Sequence, residues 1–348
     1  MSPYLSDKLK VLSFFSIILV LYIHSGFHNT PDEIQGMAFN HYLQTSISGM
    51  LGRCAVPLFY AISGYLFFLN IDNGMLSVWG KMKRRVKTLL IPFIIAACFF
   101  PAFMVGMEFF PWTKNYINAD GLFSDNFQQS LGDIMLSLFY KTEGSESPWA
   151  FHLWFLRDLI IIISISPLLY YLRKANAFIL LTLFLMIPFF NIKIGFIYAL
   201  FWFLAGSMFL SRLNRVKSKW ILPIFVLLSG WELLFPNAMW DYLQIPIISL
   251  GIIGFWHLYD VLVSEPFDLK RSRKLYLSCQ FTFFIYLFHE PTLNVVRKLL
   301  TLALGRSSAG FAINYIISPW VFACLFIVIG YYFRKFLPRL YAVCVGGR

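Results

Sequence analysis

Charged residues are scarce in this sequence. Asp, Glu, Lys and Arg make up 13% of its 348 residues, whereas soluble globular domains carry roughly 25%. Hydrophobic residues reach 59% and aromatic residues 19%, so polar groups are too few to cover a chain that faces water on all sides. This composition excludes a soluble globular enzyme, a disordered protein and a nucleic-acid-binding protein, in spite of the formal net charge of +12.

Paired metal-ligand and disulfide motifs are also missing. The 5 cysteines are scattered, with no CxxC pair and no histidine at the spacing of a zinc site. Cys54, Cys98, Cys279 and Cys324 lie within apolar runs, where cysteine acts as a small buried side chain. The sequence therefore predicts neither a disulfide framework nor a bound metal.

The dominant feature is a series of apolar runs, most of them near the ~20 residues that a transmembrane helix requires. They cover residues 9–27, 46–70, 88–110, 150–172, 175–191, 194–211, 219–236, 242–262, 276–295 and 312–336. The alternating pattern of a membrane β-barrel is absent, so helices are the remaining way to cross a bilayer. The sequence predicts an all-α, polytopic membrane helical bundle of about ten transmembrane helices.

Lysine and arginine fix the expected orientation, because they accumulate in cytoplasmic loops. With the N-terminus inside, most of them fall on that side, including the clusters at residues 81–87, 212–219 and 270–274. Both termini are therefore predicted to be cytoplasmic. The sequence shows neither a polar stretch long enough for a soluble domain nor an internal repeat, so we expect residues 1–348 to form a single integral-membrane domain, unlike a repeat-built transporter.

Ionisable residues inside predicted spans are costly and point to function by default. They are His24, Arg53, Arg157, Asp158, Glu232, His257, Asp260, His289 and Glu290. On the predicted topology most of them share the outer part of the membrane, which favours a common functional cavity over interfacial anchoring and local ion pairs. For His257 and Asp260, near the inner end of their span, a local structural role is the preferred interpretation.

His24 stands out because its helix is otherwise almost wholly apolar, apart from small hydroxyls. An imidazole titrates near neutral pH, so it can take a proton from a hydroxyl and pass one on. At ~100° per residue, Lys10 and Ser13 lie within about 40° of the helix face of His24. This spacing predicts a polar stripe from the cytoplasmic end toward His24; a histidine that merely lines the bundle is the alternative.

A basic run, residues 81–87, precedes the third predicted span. It holds Lys81, Lys83, Arg84, Arg85 and Lys87. Anchoring of the helix at the cytoplasmic face explains such a cluster by itself. A polyphosphate ligand such as coenzyme A would also be attracted to it, and the residues alone leave both interpretations open.

Several sequence blocks, in this order, resemble the acyltransferase 3 family of bacterial integral-membrane acyltransferases. The blocks are Asp7–Val11 with Tyr22–Ser25, Arg53–Leu66, Lys83–Phe93, His152–Leu156 and Ile285–His289. They extend over most of the chain. No single block is decisive, and the case for the resemblance rests on their common order.

The resemblance implies a membrane O-acyltransferase of the bacterial cytoplasmic (inner) membrane. Such an enzyme moves an acyl group, most often acetyl, from cytoplasmic acyl-CoA to a hydroxyl of a surface polysaccharide, a lipid-linked saccharide or another glycan. Acetyl-CoA would then be a donor substrate, and no bound cofactor is expected. The catalytic role of the family's first-helix histidine falls on His24, as general base or acyl carrier, and the donor site falls on Arg84, Arg85 and Lys87.

The remaining site residues are assigned on chemical grounds. Arg157 or Arg53 is expected to stabilise the oxyanion, and His289 and Glu290 are expected to orient the acceptor or hold His24 in its tautomer. Trp154 lies two residues from His152, where its ring can stack on a sugar. The residues expected to contact the acceptor are Arg53, His152, Trp154 and Glu290.

Two positions depart from the family pattern. The basic residue usual 11 residues before the histidine is Ser13 here, and Lys10, one turn earlier, is expected to take its place at the donor site. The arginine that often lies four residues before the proline is Thr88, ahead of Pro92. Two other classes of function remain: a transporter or flippase for a glycan or lipid-linked intermediate, and a structural subunit of a glycan-assembly complex.

Overall fold

The computed structural model describes residues 1–26, 38–71, 74–111, 113–114, 130–140, 148–173, 176–186, 195–215, 219–235, 239–263 and 268–347. The α-helices are α1 (Pro3–His24), α2 (Ala38–Gln44), α3 (Ala55–Phe68), α4 (Gly74–Phe109), α5 (Leu131–Phe139), α6 (Trp154–Ser164), α7 (Ser166–Leu172), α8 (Ala177–Met186), α9 (Gly195–Phe209), α10 (Ile221–Leu234), α11 (Met239–Leu262), α12 (Arg273–Gln280), α13 (Thr282–Phe288), α14 (Thr292–Leu304), α15 (Ser308–Phe336) and α16 (Pro338–Cys344). Short π- or 3-10 helices cover Thr45–Leu51, Gly52–Cys54, Phe151–Leu153, Leu210–Arg215 and Leu269–Arg271. Every regular element in these segments is helical, which confirms the predicted all-α class.

Several helices are long and apolar enough to cross a membrane. They are Phe39–Phe68, Gly74–Phe109, Gly195–Leu213, Tyr242–Leu262 and Ser308–Phe336. Phe151–Ser164 and Ser166–Leu172 add one more if this pair, bent by 69°, is a single span. A polytopic helical membrane protein is thereby confirmed, while the number of ten spans and the cytoplasmic position of both termini stay predictions.

The predicted span 276–295 differs most from the structure. Instead of one helix, the chain forms α12, α13 and α14, with breaks at Phe281 and at His289–Pro291. Pro291 lacks the N–H that a continuous helix would need at this point, and it immediately precedes α14. His289 and Glu290 therefore lie between two helices.

The helices group into two compact units. The first comprises Met1–Met82 and Ser164–Thr282, and the second comprises Lys83–Ile163 and Phe283–Arg348. Each unit is thus assembled from two separate stretches of chain. The expectation of one domain over residues 1–348 stays a prediction.

In the first unit, α3 and α9 pack with their backbones in direct contact. A Cβ atom at Gly64 would overlap the carbonyl of Phe203, and one at Gly206 would overlap the carbonyl of Ala61. Small residues permit this close approach between membrane helices.

In the second unit, aromatic side chains hold α13 in place. The Phe284 ring lies 5.8 Å from that of Phe326 and 5.7 Å from that of Tyr341, and Phe288 meets Phe99 of α4 at 5.1 Å. Edge-to-face and offset contacts of this kind add to the gain from apolar burial. They fix α13, and with it the helix break that contains His289.

The C-terminal residues of the second unit pack onto α4. Pro92 has no N–H to donate to the carbonyl of Thr88, four residues earlier. Gly346, which has a left-handed φ of 67°, lies against that carbonyl so closely that a Cβ atom would overlap it. The chain end is therefore anchored directly beside the basic run.

Candidate active site

The residues singled out in the sequence divide between the two units. Lys10, His24 and Arg53 belong to the first unit. The others belong to the second: Arg84, Arg85, Lys87, His152, Trp154, Arg157, His289 and Glu290.

His24 is the last residue of α1, and its side chain is half-buried. The segment before α3 packs against this helix end. The Ser48 hydroxyl donates to the Tyr22 carbonyl at 3.0 Å, and a Cβ atom at Gly52 would lie 2.9 Å from the Ile23 side chain. These contacts hold the helix end that carries His24 against the segment that leads into Arg53.

Arg53 forms a two-pronged ion pair with Glu232 of α10. Its Nη1 donates to Oε1 at 2.9 Å, and its Nη2 donates to Oε2. Bidentate contacts between arginine and a carboxylate combine strength with fixed geometry, and the pair has no net charge. The sequence marked both residues as ionisable groups inside spans, but no local spacing signals a pairing across 179 positions.

The two lysines near the start of α1 differ in burial and in partner. Lys10 is exposed and pairs with Asp7 at 2.9 Å, whereas Lys8 is 0% exposed. Lys8 Nζ lies 2.7 Å from each carboxylate oxygen of Asp260 and 4.1 Å from the centre of the Trp256 ring. This contact agrees with a local structural role for Asp260, and the donor role of Lys10 stays a prediction.

The second unit brings two predicted histidines together. The rings of His152 and His289 are both buried, with centroids 4.8 Å apart and planes at 75°. His152 lies in the short helix that precedes α6, and His289 lies in the break after α13. Their pairing depends on tertiary packing, which periodicity in the sequence does not reveal.

Hydrogen bonds to backbone carbonyls define which nitrogen of each ring carries a proton. His152 Nε2 lies 3.2 Å from the carbonyl of Leu287, and His289 Nδ1 lies 2.8 Å from that of Tyr286. Because a carbonyl only accepts, these two nitrogens must donate. In the neutral rings, His152 Nδ1 and His289 Nε2 are consequently the acceptor atoms.

A polar network continues from Glu290 along α14. Asn294 Nδ2 donates to the buried Glu290 carboxylate at 2.9 Å, and Arg297 Nη1 donates to Asn294 Oδ1 at 2.8 Å. Asn314 of α15 donates to the Arg297 carbonyl at 2.9 Å and to the Thr301 hydroxyl at 2.8 Å. Burial lowers the pKa of the Arg297 guanidinium, and the nearby charge of Glu290 opposes this shift.

This network was not predicted from the sequence, although a local signal for part of it existed. Asn294 and Arg297 follow Glu290 by four and seven positions, the spacing of one helix face. Asn314 had no comparable signal, because its contacts come from the packing of α15 against α14.

Arg157 and Trp154 occupy α6, outside the histidine pair's immediate hydrogen bonds. Arg157 Nε donates to Asp158 at 3.0 Å, and its Nη1 donates to the Tyr140 carbonyl at 3.1 Å. The Trp154 side chain is 37% exposed. Arg157 is thus held in a fixed position by its neighbours, while Trp154 presents an accessible ring.

The basic run lies on α4. Lys83, Arg84 and Lys87 are exposed, and Arg85 is half-buried. Among the side chains that the structure describes, none of these four forms an ion pair with a carboxylate. Their positive charge is uncompensated there, as a polyphosphate site requires.

Metal coordination has no candidate in the described ranges. Within them, no three His, Cys, Asp or Glu side chains come together as metal ligands. All five cysteines are thiols, two of them, Cys54 and Cys344, buried.

Comparison with known proteins adds two findings. A family model described as an acyltransferase domain matches residues 7–335. The succinoglycan biosynthesis protein ExoH of Rhizobium meliloti (strain 1021) is 25% identical over 372 residues, covering 100% of this chain and 94% of that protein. No solved structure gives a significant match.

Proposed function

Since the chain belongs to the acyltransferase 3 family, we propose that it transfers an acyl group from acyl-CoA to a hydroxyl of a cell-surface polysaccharide or its lipid-linked precursor. The match over residues 7–335 is the observation that carries the acyl-transfer chemistry. The polysaccharide acceptor is supported by the relative named for succinoglycan biosynthesis. We assign acetyl as the acyl group and the bacterial inner membrane as the location, as the family resemblance implies.

We assign the phosphates of the donor to the basic run on α4. Lys83, Arg84 and Lys87 are exposed there without a carboxylate partner in the described part of the chain. Arginine forks match phosphate oxygens, and lysine adds mobile point charges. Acyl-CoA is thus a substrate held by charge, and no resident cofactor is part of the proposal.

In the proposed reaction, His24 acts as the general base. Its ring takes the proton of the acceptor hydroxyl while that oxygen attacks the thioester carbonyl. The C–O bond forms, the C–S bond breaks, and the proton passes to the departing thiolate, which leaves as CoA. The position of His24 at the end of α1 suits such an exchange, since its side chain is half-buried and keeps some access from outside the helix.

Further groups are assigned supporting roles. His289 is proposed as a second catalytic group, because its tautomer makes Nε2 an acceptor for a hydroxyl proton. Arg157, held by Asp158 and the Tyr140 carbonyl, is proposed to stabilise the oxyanion. The acceptor-binding residues are proposed to be Arg53, His152, Trp154 and Glu290.

The proposal is tested on the polysaccharide of the host strain. Mass spectrometry would compare the wild type, the deletion mutant, and the mutant complemented with the wild-type gene or with His24→Ala. We expect the deletion to remove one acyl mass per repeat unit, and only the wild-type gene to restore it. Lost or shortened polysaccharide with its acylation intact would overturn the proposal in favour of transport.

A further inference from the structure

Several buried donor atoms in the first unit lack hydrogen-bond partners among the residues that the structure describes. They are Arg53 Nε, Trp202 Nε1 and Ser229 Oγ. The Tyr198 hydroxyl interacts with the Trp202 indole without reaching hydrogen-bond geometry. Trp202 is only 4% exposed and Ser229 is 0% exposed, so bulk water does not satisfy them.

These donors belong to one region. Tyr198 lies close enough to Arg53 for an electrostatic interaction between the two side chains. Trp202 lies one turn after Tyr198 on α9, and the centroids of these two rings are 6.1 Å apart. Ser229 lies one turn before Glu232 on α10, and Glu232 binds Arg53. The contact at Gly64 fixes α9, which carries Tyr198 and Trp202, against α3.

Folded proteins satisfy the great majority of their buried polar groups. A group of neighbouring donors without acceptors in the described part of the chain is an arrangement that the oxygen atoms of a bound ligand would complete. The ligand has to be rich in oxygen, and small enough to fit among packed helices or thin enough to enter as a chain.

Charge and ring chemistry narrow the class of ligand. Arg53 and Glu232 neutralise each other, so this region has no excess positive charge for a phosphate or a carboxylate. The pair still offers donors and acceptors side by side, the combination that recognises neighbouring hydroxyl groups. Two aromatic rings, Tyr198 and Trp202, add apolar faces for the C–H surface of a sugar.

We propose that Arg53, Glu232, Tyr198, Trp202 and Ser229 form a saccharide-binding site for the acceptor within the first unit. This inference rests on the proposed function and adds Tyr198, Trp202 and Ser229, which the sequence did not single out, to Arg53 and Glu232, which it did. The two substrates then bind at sites of different charge. The basic run on α4 binds the phosphates of the donor, and the neutral cluster around Arg53 and Glu232 binds a neutral glycan.

Single-group substitutions test the site. Trp202→Phe keeps an aromatic ring and removes the N–H, and Ser229→Ala removes only the hydroxyl. Membranes containing each variant would be assayed with acetyl-CoA and with polysaccharide purified from the deletion strain, which lacks the modification. Each substitution should raise the KM for polysaccharide about 3- to 10-fold, the effect of one lost hydrogen bond, and leave the KM for acetyl-CoA unchanged.

Two matched variants control for general damage. Trp231→Phe alters an exposed tryptophan beside Glu232, and Ser249→Ala removes a hydroxyl that already donates to the Ile245 carbonyl at 2.8 Å. Both should retain the wild-type KM for polysaccharide. Amounts of each variant in the membrane, measured by immunoblot, normalise the rates and identify any variant that fails to fold.

The outcomes separate this inference from the proposed function. An unchanged KM for polysaccharide in both Trp202→Phe and Ser229→Ala would overturn the saccharide site and identify the donors as hydrated. An equal rise in the KM for acetyl-CoA would overturn it as well. If wild-type membranes transfer no acyl group to the polysaccharide, the proposed function itself fails.

Discussion

The imidazole of His289 meets that of His152 nearly at a right angle, with centroids 4.8 Å apart. Both rings donate to carbonyls of one short segment, His152 to Leu287 and His289 to Tyr286. The Tyr286 hydroxyl in turn donates to the His152 carbonyl at 3.2 Å. The last turn of α13 therefore orients both rings at once and fixes the tautomer of each.

His289→Asn separates the structural contribution of this ring from its chemical one. The asparagine amide can still donate to the Tyr286 carbonyl, as His289 Nδ1 does, but it places no acceptor at the position of Nε2. We expect acyl transfer to fall about 100-fold or more, the usual contribution of a general acid–base group, while the unfolding temperature stays near that of the wild type. Initial rates with acetyl-CoA and thermal unfolding in detergent measure the two effects.

His289→Ala provides the contrast, because it removes both functions of the ring. It should lose acyl transfer as the asparagine variant does and should also unfold at a lower temperature. Wild-type rates in His289→Asn would show that the ring serves only to hold the Tyr286 carbonyl, and the catalytic assignment of His289 would then be wrong.

Lys8→Met should destabilise the first unit. The substitution leaves the Asp260 carboxylate, which is 32% exposed, without the ammonium that now contacts both of its oxygens. Losing one partner of a buried pair costs about 3–5 kcal/mol, and we expect about 2 kcal/mol here because water still reaches Asp260. Thermal unfolding in detergent, followed by tryptophan fluorescence, measures this change.

Lys10→Met is the matched control, since the exposed pair of Lys10 with Asp7 contributes about 0–1 kcal/mol. The double variant Lys8→Met with Asp260→Leu should recover most of the stability, because it removes both charges. Equal unfolding temperatures for Lys8→Met and Lys10→Met would contradict the buried role of Lys8.

The difference between these lysines shows how far the sequence alone can lead. Helical geometry placed Lys10 on the face of His24, yet burial depends on what packs against the helix, and here Trp256 and Asp260 select Lys8. Lys8 is the buried lysine because it contacts α11, whose residues lie more than two hundred positions away in the chain. A single sequence contains no signal for such a contact.

Local properties were more predictable. Gly64, a small residue inside the second predicted span, lies on the backbone of Phe203, the close approach that small residues allow between membrane helices. The apolar runs likewise predicted the helical class. The broken span around His289 was not predicted, because its apolar composition masked the effect of Pro291 on helical hydrogen bonding.

Neutralising the basic run should weaken donor binding without affecting the acceptor. Arg84→Ala and Lys87→Ala each remove an exposed positive charge on α4, and a contact with phosphate is strengthened by charge. We expect the KM for acetyl-CoA to rise about tenfold in each variant, with the KM for polysaccharide unchanged. The effect should shrink at high ionic strength, because salt screens exposed charges.

Lys274→Ala is the control for this test, since Lys274 is an exposed lysine of α12 in the other unit. It should leave the KM for acetyl-CoA at the wild-type value. A rise of the same size in Lys274→Ala would mean that net charge, rather than the run at residues 83–87, attracts the donor.

The contact between Gly346 and Thr88 makes the chain end a testable part of the second unit. Gly346 and Gly347 both have left-handed φ angles, 67° and 75°, so alanine at either position carries a similar backbone penalty of about 1–2 kcal/mol. Only at Gly346 would the added Cβ overlap the Thr88 carbonyl; at Gly347 nothing lies within 4 Å.

Gly346→Ala should therefore unfold at a lower temperature than Gly347→Ala, by an amount equivalent to about 1–3 kcal/mol of overpacking. Because Thr88 directly follows Lys87 at the end of the basic run, the same variant should also raise the KM for acetyl-CoA, whereas Gly347→Ala should not. Identical unfolding temperatures in the two alanine variants would show that the C-terminal residues are not anchored on α4.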